Sequence, residues 1–184
     1  MDSLCRLSKP LTLTIAGMTL LTVVSCDTSS PEVPASMCGT RIEPGLSRPL
    51  LEPLGEFDEF NRLDPEHPKT APCVVSVDGD PALRFRLAFH SESPDLMKWA
   101  NESSIVGLTN PSVIDLGFEA SVVGNEGAIA TEACRTAEGD RLTLSVVAPR
   151  VPPAKENLRP AIEKFMKAYM NNTIAMLGCG GTKR

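Results

Sequence analysis

Apolar and polar residues alternate most regularly between Cys73 and Phe89. There "CVVSV" precedes "DGDP", after which Leu83, Phe85, Leu87 and Phe89 take turns with Arg84, Arg86, Ala88 and His90. A period of two around an Asp-Gly pair predicts a β-hairpin whose second strand is half buried. The same grammar returns after Cys134, where "AEGD" leads into Leu142, Leu144, Val146 and Ala148 alternating with Thr143, Ser145 and Val147. A further turn, Gly124-Asn125-Glu126-Gly127, separates "FEASVV" from "AIATEAC", so the stretch from Phe118 to Ala148 reads as a three-stranded meander. Helical periods frame it. Ser93-Pro94-Asp95 offers an N-cap, an N1 proline and an early acid, predicting a short helix through Leu96, Trp99 and Ala100. From Pro160 onward, Ile162, Phe165, Met166, Tyr169, Thr173, Met176 and Leu177 recur at three- and four-residue spacing up to Gly178, a natural C-cap. The predicted class is α+β: an antiparallel sheet, hairpin plus three-stranded meander, packed by a C-terminal helix and a shorter one.

The N-terminal third is less regular. Between Arg41 and Thr70, five prolines (Pro44, Pro49, Pro53, Pro65 and Pro68) exclude a long helix, and only Glu56 to Leu63 predicts a short helical turn. The acids Glu56, Asp58, Glu59, Asp64 and Glu66 lack the alternating ligand positions of a calcium loop and read as a solvated surface. Upstream, basic Arg6 and Lys9 precede an apolar run from Leu11 to Val24, too short for a comfortable bilayer span but suited to a secretory signal. The run ends in Val23-Val24-Ser25-Cys26, and Asp27 to Ser36 is rich in Ser and Pro with little to bury, which predicts an extended tether.

The chain has 184 residues and a formal charge of −5; without Arg6, Lys9 and Asp2 it carries 16 basic against 22 acidic side chains. An acidic chain with no basic run and 4% aromatic residues is a poor nucleic-acid binder, lacking both counterion release and a stacking platform. Of six cysteines, Cys5 falls in the signal and Cys26 at its end, leaving Cys38, Cys73, Cys134 and Cys179. An even number in an exported domain predicts two disulfides. Four cysteines allow three pairings. If the two hairpins lie side by side, Cys73 faces Cys134, and Cys38 with Cys179 then closes the domain like a clasp. No CxxC pair occurs and both histidines are distant from any cysteine, so no metal site or other cofactor is expected.

No nucleophile-elbow, zinc-protease or phosphate-loop pattern occurs, and no catalytic residue is assigned. His67 falls between prolines and His90 ends a predicted strand; Asp78-Gly79-Asp80 and Glu138-Gly139-Asp140 are explained by turn chemistry. Arg84 and Arg86, on the polar side of the first hairpin, are candidates to join Arg141 in holding an anionic envelope polymer or the acidic patch of an envelope protein. The plainer reading makes them solvated charges that discourage sheet pairing. A non-catalytic binding or accessory module fits best. The alternative is an exported enzyme whose site assembles from residues distant in sequence.

The segment ending in Cys26 resembles the lipobox of bacterial lipoproteins, in which the cysteine is acylated and becomes the new N-terminus. That resemblance implies a signal peptide over residues 1–25, a lipidated cysteine and flexible tether over 26–37, and one disulfide-stabilised domain over 38–184. It also implies a lipid-anchored position on the extracytoplasmic face of a membrane. With "CGTRI" at Cys38, "APCVVSVDG" around Cys73, "DLGFEASVVGNEGAIATEAC" up to Cys134 and "EKFMKAYMNNTIAMLGC" at the end, the chain resembles small secreted lipoproteins of actinobacterial type. In that resemblance Leu116-Gly117 and Glu119-Ala120 precede a central strand. Some similar domains, such as the extrinsic proteins of photosystem II, pair an antiparallel sheet with packed helices, and the same architecture is expected here.

Overall fold

The computed structural model describes residues 31–61, 70–102, 106–150 and 158–179. The signal segment, Cys26 and His67 lie outside these residues, as do Asp64, Glu66, Pro65 and Pro68.

The described residues contain three helices and nine strands, and the strands form two antiparallel sheets. A small hairpin comes first, β1 (Ser36–Met37) and β2 (Thr40–Arg41), turning through Cys38 and Gly39 at positive φ. Helix α1 (Pro44–Leu51) follows. Pro44 suits its first turn, while Pro49 costs one intrahelical bond that burial of Leu50 and Leu51 offsets. The large sheet contains β3 (Phe57–Asn61), β4 (Thr70–Val77), β5 (Asp80–His90), β6 (Ser112–Val113), β7 (Ala120–Val123), β8 (Gly127–Thr136) and β9 (Gly139–Val147). Its order is β3-β4-β5-β9-β8-β7-β6. Helix α2 (Leu96–Asn101) lies between β5 and β6 in sequence, and α3 (Arg159–Met176) ends the described fold.

The α+β class, the first hairpin, the meander of β7, β8 and β9, and the C-terminal helix agree with the sequence pattern. Asp78 (φ 53°) and Gly79 (φ 80°) make the tight hairpin turn that an Asp-Gly pair encodes. Helix α3 closes with a Schellman arrangement: Gly178 (φ 70°) donates to Ala175 O and Cys179 to Ile174 O. Among the described residues no helix is long and apolar enough to cross a membrane.

Several expectations change. Residues 57–61 are a strand, not a helical turn: β3 pairs with β4 from Phe57↔Val77 to Asn61↔Cys73. The hairpin turn also grips its start, because Asp78 N–H donates to Glu56 O and Asp78 Oδ1 accepts from Glu56 N–H, both at 2.8 Å. Those tertiary bonds outweigh the helical spacing of Phe57 and Phe60. Helix α2 is capped by Asp95, whose Oδ1 accepts from Lys98 N–H at 3.0 Å, rather than by Ser93. Strand β7 lies next to the sheet edge instead of at its centre. The described part of the stretch predicted as tether, residues 31–37, is folded against the domain: Val33 and Met37 are buried in the main core.

The disulfide pairing changes as well. All four cysteines are bridged, but as Cys38–Cys73 and Cys134–Cys179. The two hairpins do lie side by side, through β5 and β9; yet Cys73 is on β4 and Cys134 on β8, the outer strands of that quartet. Three strand spacings of about 4.8 Å separate those two strands, far beyond the reach of a disulfide. Each cysteine instead meets an element packed over its own strand. The turn of the small hairpin brings Cys38 to Cys73, and the end of α3 brings Cys179 to Cys134.

Strand register sorts the large sheet into two faces. Cys73, Phe85, Val146 and Ala128 form one row, and Leu87, Leu144 and Ala130 another, on the face that α3 covers. Phe85 stacks on Tyr169 (4.8 Å between ring centres) and Phe165 on Tyr169 (5.4 Å). Tyr169 Oη donates to Met37 O at 2.9 Å, tying the small hairpin to the helix. Arg159 anchors the start of α3 to the β6–β7 edge through Asn110 O, Ser112 Oγ and Val123 O. Among the described residues the other face is only partly covered, by a second cluster of Leu96, Ala100, Leu108, Val122 and Ile129.

Candidate functional site

The part of that second face that no described residue covers is the candidate site. Register places Phe60, Val74, Arg84 and Val147 in one row across β3, β4, β5 and β9. The next row is Pro72, Arg86, Ser145 and Ile129, and a third contains Ala88, Thr143 and Thr131. Arg84 and Arg86 point the same way because alternate strand residues share a face. Both are exposed. Neither makes a hydrogen bond or ion pair to a described residue, whereas Arg135, Arg141 and Arg159 each meet a carboxylate.

Two cavities open over these rows. One of about 260 Å³ is bounded by Val74, Arg84, Arg86 and Val147. The second, also about 260 Å³, lies against Ala88, His90, Trp99, Ile129 and Thr143, and its lining is predominantly apolar. Arg86, Val106 and Ser145 border both, so the two are halves of one trough. Trp99 forms part of the wall, its indole meeting the His90 ring edge-on at 5.1 Å. Burial lowers the His90 pKa from its ordinary 6.5, which favours the neutral ring. Its Nε2 is buried without a hydrogen-bond partner.

Arg141 does not join the other two arginines. Its Nε donates to both oxygens of Glu119, at 2.8 and 3.0 Å, and Glu119 also accepts from the Ser93 hydroxyl. The Ser93 hydrogen bond first, and Arg141 second, lower the Glu119 pKa. A carboxylate so stabilised in its charged form is a weak base, so this cluster is a latch between β9 and the loops before α2 and β7 rather than an activated serine. The signal for it, an acid just ahead of β7, lies 22 residues from its arginine and was not legible from the pattern.

Cys38, Glu59 and Cys73 offer ligand atoms within 4.8 Å of one another. The two sulfurs are joined to each other, and Glu59 Oε2 accepts from Cys38 N–H at 2.7 Å, so the group is occupied in holding the small hairpin to β3 and β4. Asp78 and Glu56 are likewise engaged in the hairpin turn.

Comparison with family models, curated proteins and solved structures finds no significant match to the chain.

Proposed function

We propose that the protein is a cell-envelope lipoprotein, anchored through Cys26, whose folded domain acts by non-catalytic binding on the open face of the large sheet. The observation that carries the binding reading is the pair Arg84 and Arg86: two exposed guanidiniums, unpaired among described residues, side by side at a trough in a chain of net charge −5. Exposed arginines on an otherwise acidic molecule favour an anionic partner, such as an envelope polymer or the acidic patch of an envelope protein. The edge reading of these charges is weakened by the sheet order, because β5 is an inner strand between β4 and β9 and has no free edge to protect.

The test is capture from envelope extract on the immobilised protein, comparing the wild type with Arg84→Ser/Arg86→Ser. The variant is expected to lose the captured partner, with the larger difference at low salt, where screening is weakest. Equal capture by both proteins at low salt contradicts the reading. The anchor is tested separately by Cys26→Ala, which is expected to abolish acylation and move the protein from the detergent to the aqueous phase. An unacylated wild-type protein removes the lipoprotein half of the proposal.

A further inference from the structure

We infer that the trough takes a small amphipathic anion, a carboxylate or phosphate monoester with an apolar body, its head on Arg84 and Arg86 and its body against Trp99. This rests on the open sheet face being the binding face, and names the chemical class of what that face holds.

The two halves of the trough differ in chemistry. At one end, Arg84 and Arg86 are alternate residues of β5, their Cα atoms about 7 Å apart along the strand, a span from which two arginine side chains on one face reach one anionic group. At the other end the lining, which includes Ala88, Ile129 and the Trp99 indole, is predominantly apolar. Arg86 lies at the junction and borders both halves. A ligand that fills both must therefore carry its charge and its apolar body on opposite sides of that arginine.

Size and charge narrow the class further. Two adjoining cavities of about 260 Å³ fall in the range of small-molecule clefts, roughly 300–1,000 Å³ when joined. The third candidate on this sheet, Arg141, is consumed by Glu119, which leaves the Arg84 and Arg86 pair to hold one anionic group. Beyond Arg86, the lining of the far end (Ala88, His90, Trp99, Ile129 and Thr143) holds no guanidinium or ammonium group to receive a second anion. One charge and one apolar body match the trough.

Trp99 is the single tryptophan of the chain, so its fluorescence reports directly on this site. The full chain is titrated with decanoate, decyl phosphate, decanol and inorganic phosphate. Decanoate and decyl phosphate are expected to change Trp99 emission saturably. Decanol, with the same body and no charge, should require roughly tenfold more or higher, the scale of one charge-assisted contact. Inorganic phosphate alone should leave Trp99 unchanged. Arg86→Gln should weaken decanoate by a similar factor while leaving decanol unaffected. Decanol binding as tightly as decanoate, or inorganic phosphate reproducing the full signal, overturns the inference, and neither result depends on a variant folding. Unaltered decanoate affinity in Arg86→Gln overturns it as well. If no amphiphile binds, but Arg84→Ser/Arg86→Ser still loses its envelope partner, the ligand class is wrong and the binding face stands. If capture is also unaffected, both fall.

Discussion

Replacing Cys134 and Cys179 together by alanine removes the bridge that fastens the end of α3 to β8. Their sequence separation is 45 residues, and that of Cys38–Cys73 is 35. Loop-closure entropy for such lengths gives about 4 kcal/mol for each bridge. The two loops follow one another along the chain instead of nesting, so opening one leaves the closure entropy of the other intact. Their contributions should add to about 8 kcal/mol, a large part of the roughly 5–15 kcal/mol that keeps a domain folded. Urea unfolding followed by circular dichroism should show each double variant folded with its midpoint lowered, and the quadruple variant at the margin of stability or unfolded. Thiol labelling of oxidised Cys179→Ala adds a sharper reading: the released thiol should be Cys134. A label on Cys38 would mean that the end of α3 is bridged to the small hairpin, and would refute the strand-order argument.

Three further outcomes follow from particular contacts. Phe165→Ala empties the space beside Tyr169 and Phe85 and should lower stability by about 3–5 kcal/mol in the same urea assay. Gly139→Ala would place a Cβ 2.7 Å from the His90 carbonyl oxygen; because backbone cannot step aside, a loss of about 1–3 kcal/mol is expected. The lowered His90 pKa makes the unfolded chain bind the extra proton first, so stability should fall as pH drops below the ordinary 6.5 toward the folded value and be unaffected above it. His90→Asn should remove that part of the slope; an identical pH profile in wild type and variant counts against a buried, neutral His90.

Much of the fold was legible because its signals are local. The Asp78–Gly79 turn, the alternation from Leu83 to Phe89 and the stripe of α3 each lie within one element. What escaped depends on partners distant in sequence. Phe57 and Phe60 carry a helical spacing, and only pairing with β4 makes their segment a strand. Pro44 and Pro49 read as helix breakers, but a helix as short as α1 tolerates both because Leu50 and Leu51 dock. Val33 and Met37 sit in a polar, proline-rich stretch whose average composition conceals two core residues. The disulfide pairing turned on β5 and β9 standing between the two cysteine-bearing strands, a matter of strand order that neither hairpin encodes alone. At the site, Arg84 and Arg86 were visible as the polar half of an alternating strand. The trough beside them needed α2 to be placed over β7 and β8, with Trp99 as its wall.

The claim that the open sheet face is the binding face is tested most directly by site-specific photo-crosslinking in envelope extract. A photoreactive residue at Val74 lies in the trough, and one at Lys164 lies on the exposed side of α3, across the sheet. Adducts are expected from Val74 and not from Lys164, and they should disappear when Arg84→Ser/Arg86→Ser is combined with the Val74 probe. Adducts from Lys164 alone, or Val74 adducts that survive loss of both arginines, would contradict the account.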